Sequence, residues 1–217
     1  MRVFAVFFLC FVSSFIFGQS NFEFGLLPKA IISKDISQKT KWINSVELRT
    51  VLYDENFQLT HNLIDLSTIV SQKVGLNQSF NVGYILRFRD QETIHRTFQH
   101  YNFVKQYSAL KLAHRFAFEQ FFETNKQTTF RTRYQISAEK PLNGERVDVK
   151  EFYLKMGNEY LYNFKNNLEI RFTPFLGYRA TKKQRFEIGF DYRISEFIDN
   201  STMNNLWFRT TMYISLD

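Results

Sequence analysis

The sequence predicts an all-β protein: an antiparallel transmembrane β-barrel of about ten strands (10–12), connected as an up-and-down meander. Three observations predict it. From about residue 42 to the C-terminus, apolar and polar residues alternate with period two, the pattern of strands with one apolar and one polar face. The alternating stretches run about 10 to 14 residues, longer than the ~5–6 of soluble sheets and suited to tilted membrane strands of roughly 9–11. Phe 26 and Tyr 11 against Gly 8 and Pro 3 load the chain with strand-favouring residues,. After residue 18 nothing approaches the ~18 consecutive apolar residues of a membrane helix, so a membrane crossing would have to be made by closed strands.

The N-terminus predicts export. Arg2 is a short positive region, Val3 to Phe17 runs apolar except at Cys10, Ser13 and Ser14, and Gly18 supplies a small residue before Gln19. That is the layout of a secretory signal peptide, giving residues 1–18 as signal and 19–217 as one barrel domain. Removing 18 of 217 residues leaves 199 and takes away Arg2, so the net charge of +7 becomes +6. The only cysteine, Cys10, leaves with it, and the mature chain has no thiolate chemistry. The positive charges are spread along the chain rather than gathered in a tract, and with export this argues against nucleic acid.

The strands follow in order. Phe22–Ser33 is left open as an eleventh strand, a plug or a periplasmic arm. Val46, Leu48 and Leu52 oppose Glu47 and Arg49, and Ile64, Leu66 and Val70 oppose Asp65 and Ser67. Over 78–89, Phe80, Val82, Tyr84, Leu86 and Phe88 oppose Asn81, Gly83, Arg87 and Arg89, while 96–106 is a strand with weaker patterning. Over 108–123, Leu112, Phe116, Phe118 and Phe122 oppose Lys111, Arg115 and Glu119. Asn125-Lys126-Gln127 then turns the chain into 128–139, where Phe130, Tyr134 and Ile136 oppose Arg131, Arg133 and Gln135. The same pattern recurs over 149–162 (Phe152, Leu154, Met156 against Glu151, Lys155, Glu159), 168–179 (Leu168, Ile170, Phe172 against Glu169, Arg171), 185–194 (Phe186, Ile188, Phe190 against Glu187, Asp191, Arg193) and 206–216 (Leu206, Phe208, Met212 against Arg209, Thr211). This makes ten strands in five hairpins. A soluble sandwich would alternate in the same way, but strand length, the large Phe residues and the export signal favour lipid outside and polar groups inside. Tyr and Trp residues, among them Tyr84, Tyr160, Trp42 and Trp207, are expected to form the aromatic girdles.

The predicted interior holds nine arginines (Arg49, Arg87, Arg89, Arg115, Arg131, Arg133, Arg171, Arg193, Arg209) against eight acids (Glu47, Asp65, Glu119, Glu151, Glu159, Glu169, Glu187, Asp191). Buried charges must be paired or hydrated, and arginine pairs carboxylates bidentately. The expectation is a narrow lumen filled by a salt-bridge network, with Arg87, Arg89, Arg115, Glu119, Arg131, Arg133, Glu159 and Arg171 as its core. Arg115 and Glu119 share a face and are expected to meet Arg131 and Arg133 of the next strand. Catalytic and metal signals are thin. His114 falls on the apolar face with Ser108 its nearest serine, and the spacing of His95 and His100 matches no defined metal site. No catalytic residue, metal or cofactor is predicted.

The centre of the chain resembles a known family. Gln106-Tyr107, Lys111-Leu112-Ala113-His114-Arg115-Phe116, Glu119-Gln120, Phe130-Arg131-Thr132-Arg133-Tyr134, Pro141-Leu142 and later Asn158-Glu159 resemble DUF2490, a family of uncharacterised bacterial outer-membrane barrel proteins. Two departures stand out. Leu168-Glu169-Ile170-Arg171 keeps only the arginine of a Gln-x-Arg element, and the chain ends Leu216-Asp217 where such barrels commonly end in an aromatic residue. The resemblance implies a barrel of the Gram-negative outer membrane with no established activity. The expected partners are outer-membrane lipids, the barrel assembly machinery during insertion and a small polar solute. The expected role is non-enzymatic, structural or envelope-interacting, with a narrow solute channel or a lipid-modifying enzyme as alternatives.

Overall fold

A computed structural model describes residues 21–89, 92–165, 167–196 and 202–217; the predicted signal peptide lies outside the described residues. Eleven strands form one closed barrel: β1 (Asn21–Asp35), β2 (Thr40–Asp54), β3 (Asn56–Gly75), β4 (Gln78–Arg89), β5 (Glu92–Gln106), β6 (Lys111–Phe122), β7 (Thr129–Pro141), β8 (Glu151–Asn163), β9 (Asn167–Arg179), β10 (Gln184–Ser195) and β11 (Met203–Ser215). Eleven falls within the expected ten to twelve, and of the alternatives left open for Phe22–Ser33 the strand is the one observed, because the segment belongs to β1.

That extra strand changes the closure. In a meander with an odd number of strands the first and last run the same way. β1 therefore pairs β11 in parallel from Asn21↔Met203 to Ser33↔Ser215, while every other neighbour is antiparallel. Parallel pairing is slightly weaker per residue, and the seam is reinforced at one end. Leu216 N donates to Ser33 O at 2.9 Å, and the Asp217 carboxylate accepts from Asp35 N at 2.8 and 2.9 Å.

Alternation places the two faces as the sequence reads them. On β8, Phe152, Leu154, Met156, Tyr160 and Tyr162 are exposed on the outside, while Tyr153, Glu159 and Leu161 between them are buried. On β4, exposed Phe80, Val82, Tyr84 and Phe88 alternate with buried Asn81 and Gly83. No helix among the described residues is long and apolar enough to cross a membrane; the apolar belt is carried by strands. A 12-residue strand rises about 40 Å, or about 30 Å once tilted, enough for the ~25 Å apolar band of such barrels. β3 runs past the end of β4, and Phe57 and Leu59 project from this overhang 88% and 79% exposed.

β5 explains why its sequence pattern is weak. Its polarity is partly inverted, with Ile94 and Phe98 buried inside and Thr97 and Gln99 on the outer face. The outward polar groups satisfy one another: Thr97 Oγ1 donates to Gln120 Oε1 at 2.6 Å, and Gln120 Nε2 donates to Gln99 Oε1 at 3.0 Å. This limits the cost of polar groups on a lipid-facing surface.

Inside, four aromatic rings each lie over a glycine directly across the ladder: Trp207 over Gly25, Phe98 over Gly83, Tyr153 over Gly177 and Phe175 over Gly189. A Cβ on any of these glycines would overlap the facing ring; the missing side chain makes the room. Trp207 is therefore corrected from the outer girdle to the core, where it is 1% exposed and packs with Leu27 and Val51. Period two already dictates this, since Trp207 alternates with outward Leu206 and Phe208.

Candidate functional site

The strands enclose a lumen cavity of about 1010 Å³. Its walls extend from Glu23, Asn62 and Met203 at one rim to Lys41, Lys182 and Ser215 at the other. Seventeen lysine and arginine side chains line it against eight carboxylates. The near balance expected from the strand patterns is corrected to a strong cationic excess. The sequence tally left out Arg96, on the inverted strand, and the lysines, including Lys29, Lys111 and Lys155.

One wall is tightly paired. Glu119, projecting from β6 with its side chain 3% exposed, receives Arg131 at 2.6 Å and Arg133 at 3.1 Å from β7. Arg133 continues to Glu159 on β8 at 3.1 Å, Glu159 reaches Arg171 on β9 at 3.4 Å, and Arg171 also pairs Glu169. Glu119, Arg131, Arg133 and Glu159 are among the residues that carry the family resemblance, and the register that places Glu119 opposite Arg131 and Glu159 opposite Arg171 makes them one chain. Arg87 pairs Asp65 through two bonds of 2.7 Å.

Two of the expected core residues and one further acid of the predicted interior end elsewhere. Arg115 does not join Glu119: its Nε donates to Asn102 Oδ1 at 2.9 Å, it has no carboxylate partner among the described residues, and it is exposed to the lumen space although it faces inward. Arg89 is exposed at the end of β4 and makes no ion pair among the described residues. Glu151 leaves the network, accepting instead from Asn143 Nδ2 and Asp148 N in the β7–β8 connection.

The opposite wall combines pairs with an unpaired cation. Asp191, fully buried, pairs Arg193 at 2.8 Å and Arg209 at 3.1 Å, and Glu47 pairs Lys29 at 3.1 Å and Arg209 at 3.3 Å. Arg49 on β2 has no ion pair among the described residues and lies over the Trp207 indole, 5.0 Å from its centroid. Nearer one rim, Glu187 accepts from Tyr153, Lys155 and Tyr213, each at 2.9 Å. Outside the strands, Lys126 bonds Glu123 at 2.7 Å and Glu92 at 3.3 Å, and these bonds hold its ammonium above the usual lysine range.

His95, His100 and His114 are placed apart from one another, each against an aromatic ring. His114 is on the outer face, its Nδ1 2.9 Å from Tyr134 Oη and its ring stacked on Phe103; its partner is Tyr134, not Ser108. His95 and His100 belong to β5 and point to opposite faces: His95 meets Tyr84 outside, and His100 stacks on Phe98 inside. Among the described residues no group of three His, Cys, Asp or Glu side chains is placed to hold a metal.

Residues 24–205 match the model of a protein family described as "Protein of unknown function (DUF2490)". The match begins in β1 and ends in β11, so it covers the whole circuit of the barrel. No curated protein and no solved structure matches the chain.

Proposed function

The chain belongs to the DUF2490 family and is a β-barrel of the outer membrane, and from this premise we propose that it is a non-enzymatic conduit for small anionic solutes. The observation that carries the reading is the cationic excess around one cavity lined from rim to rim. Low-dielectric walls bearing one sign of charge concentrate counter-ions and exclude co-ions, and rings of Arg and Lys are the usual lining of anion pores. The non-enzymatic part rests on His95, His100 and His114, whose contacts are with tyrosine and phenylalanine rings rather than with a serine. Lipids surround the apolar belt, and insertion by the barrel assembly machinery belongs to the same reading.

Purified barrel in a planar bilayer under a KCl gradient tests it. The expected result is a small conductance with a reversal potential on the chloride side. A cation-selective current, or none, would overturn the conduit. A purely structural barrel is the second reading, favoured by the tightly paired Glu119–Arg133–Glu159–Arg171 wall, and it predicts no current.

A further inference from the structure

We propose that Arg49, together with Arg87, Arg171 and Arg193, forms a binding station in the lumen for a small phosphate-type oxyanion. The inference deepens the conduit reading and rests on it for its purpose, but its physical basis is local. Five arginines that line the lumen, Arg49, Arg89, Arg96, Arg115 and Arg185, lack a carboxylate partner among the described residues. Arg115 is held by Asn102 and Arg96 lies over Phe121, each with an acid as the foremost charge acting on it, whereas Arg49 lies over Trp207 with a second guanidinium, that of Arg193, on the same ring.

Arg49 is positioned without being neutralised. The Trp207 ring supports its guanidinium at 5.0 Å, and the same ring has Arg193 at 5.8 Å. Trp207 is itself fixed, because Gly25 across the parallel seam leaves room for it and Leu27 and Val51 close around it. Arg193 and Arg87 repel Arg49 and Arg171 adds further repulsion, while Glu47 and, from the rim, Glu23 attract it without forming an ion pair. Glu47 is already engaged by Lys29 and Arg209.

Each surrounding arginine has a carboxylate of its own: Asp65 for Arg87, Glu169 and Glu159 for Arg171, and Asp191 for Arg193. Those pairs hold the three groups in place and leave Arg49 as the one of the four without an ion pair among the described residues. A guanidinium presents five donors in a planar fork and cannot discharge itself by losing a proton, so the compensation has to come from an anion. A tetrahedral oxyanion accepts several such forks at once, whereas a halide offers a point charge. The strands separate the station from the bilayer, so the ligand is a dissolved anion rather than a lipid headgroup.

The test is calorimetric titration of the folded, detergent-solubilised barrel with inorganic phosphate at constant ionic strength, with chloride as comparator. Saturable phosphate binding is expected, weakened at least about tenfold in Arg49→Met, where charge-assisted hydrogen bonds are lost but the stem over Trp207 is kept. Lys126→Ala, in the loop, is expected to bind as the parent does. Heat-modifiable gel migration confirms that each variant is closed. Absence of saturation in the parent, or an Arg49→Met barrel that binds equally well, would overturn the station. Because binding is measured without ion flow, a barrel that binds phosphate but does not conduct keeps the station and loses the conduit. An anion-selective barrel that does not bind does the reverse.

Discussion

The two walls of the lumen are built from the same residue types and behave differently. On the β6–β9 wall, Glu119 and Glu159 are each shared by two arginines, and the chain runs unbroken from Arg131 to Glu169. On the facing side, β2 presents Arg49 on an indole ring with no acid in contact. The first arrangement fixes neighbouring strands to one another and leaves little charge for a ligand. The second leaves a charge that the protein itself does not satisfy. What separates them is register: where a carboxylate faces an arginine across the ladder, structure results, and where it does not, a binding surface remains.

Four experiments would break or sharpen that contrast. The largest effect is expected from Glu119→Gln, which strands Arg131 and Arg133 in the interior. Removing one partner of a buried pair costs about 3–5 kcal/mol, so the urea midpoint in detergent should fall sharply; an unchanged midpoint would mean the paired wall is not structural. Next is Gly83→Ala, where the added methyl meets the Phe98 ring. Overpacking of this kind costs about 1–3 kcal/mol, and the paired Phe98→Leu should recover part of it.

Arg49→Met should act in the opposite sense to Glu119→Gln. It gives up a cation–π contact of about 0.5–2 kcal/mol and relieves repulsion from Arg87 and Arg193, so the midpoint should barely move while chloride selectivity in bilayers falls. A large drop in stability would place Arg49 with the structural wall instead. The smallest effect is expected from salt alone. Between about 0.1 M and 1 M KCl the Debye length shrinks from ~10 to ~3 Å, so selectivity should decline gradually; a salt-independent reversal potential would point to steric rather than electrostatic filtering.

Most of the strand content was legible because period two survives wherever one face meets lipid and the other meets charge. β5 was the weak case for a physical reason. Its outer face carries Thr97 and Gln99, whose polarity is satisfied by Gln120 on the next strand, and a cross-strand bond leaves no trace in local alternation. The lumen was legible as a set of residues and not as a set of partners. Glu119 and Arg133 were placed together correctly, since neighbouring strands joined by a short loop fix their own register. Arg115 was expected to meet the residues of the next strand, β7, and instead donates to Asn102 on its other neighbour, β5. Glu151 was spent on a loop that the alternation does not describe.

The sequence by itself determined an all-β chain with an aromatic outer face, an arginine-rich inner face and the family to which it belongs. Those properties are local: they depend on residue type and on which of two faces each position takes. Only the tertiary structure decided that the strands number eleven, that β1 closes on β11 in parallel, and that Arg49 stands unpaired over Trp207. Closure joins residues about 180 positions apart, such as Gly25 and Trp207. Whether a charge is cancelled or left available depends on such joins rather than on its neighbours along the chain.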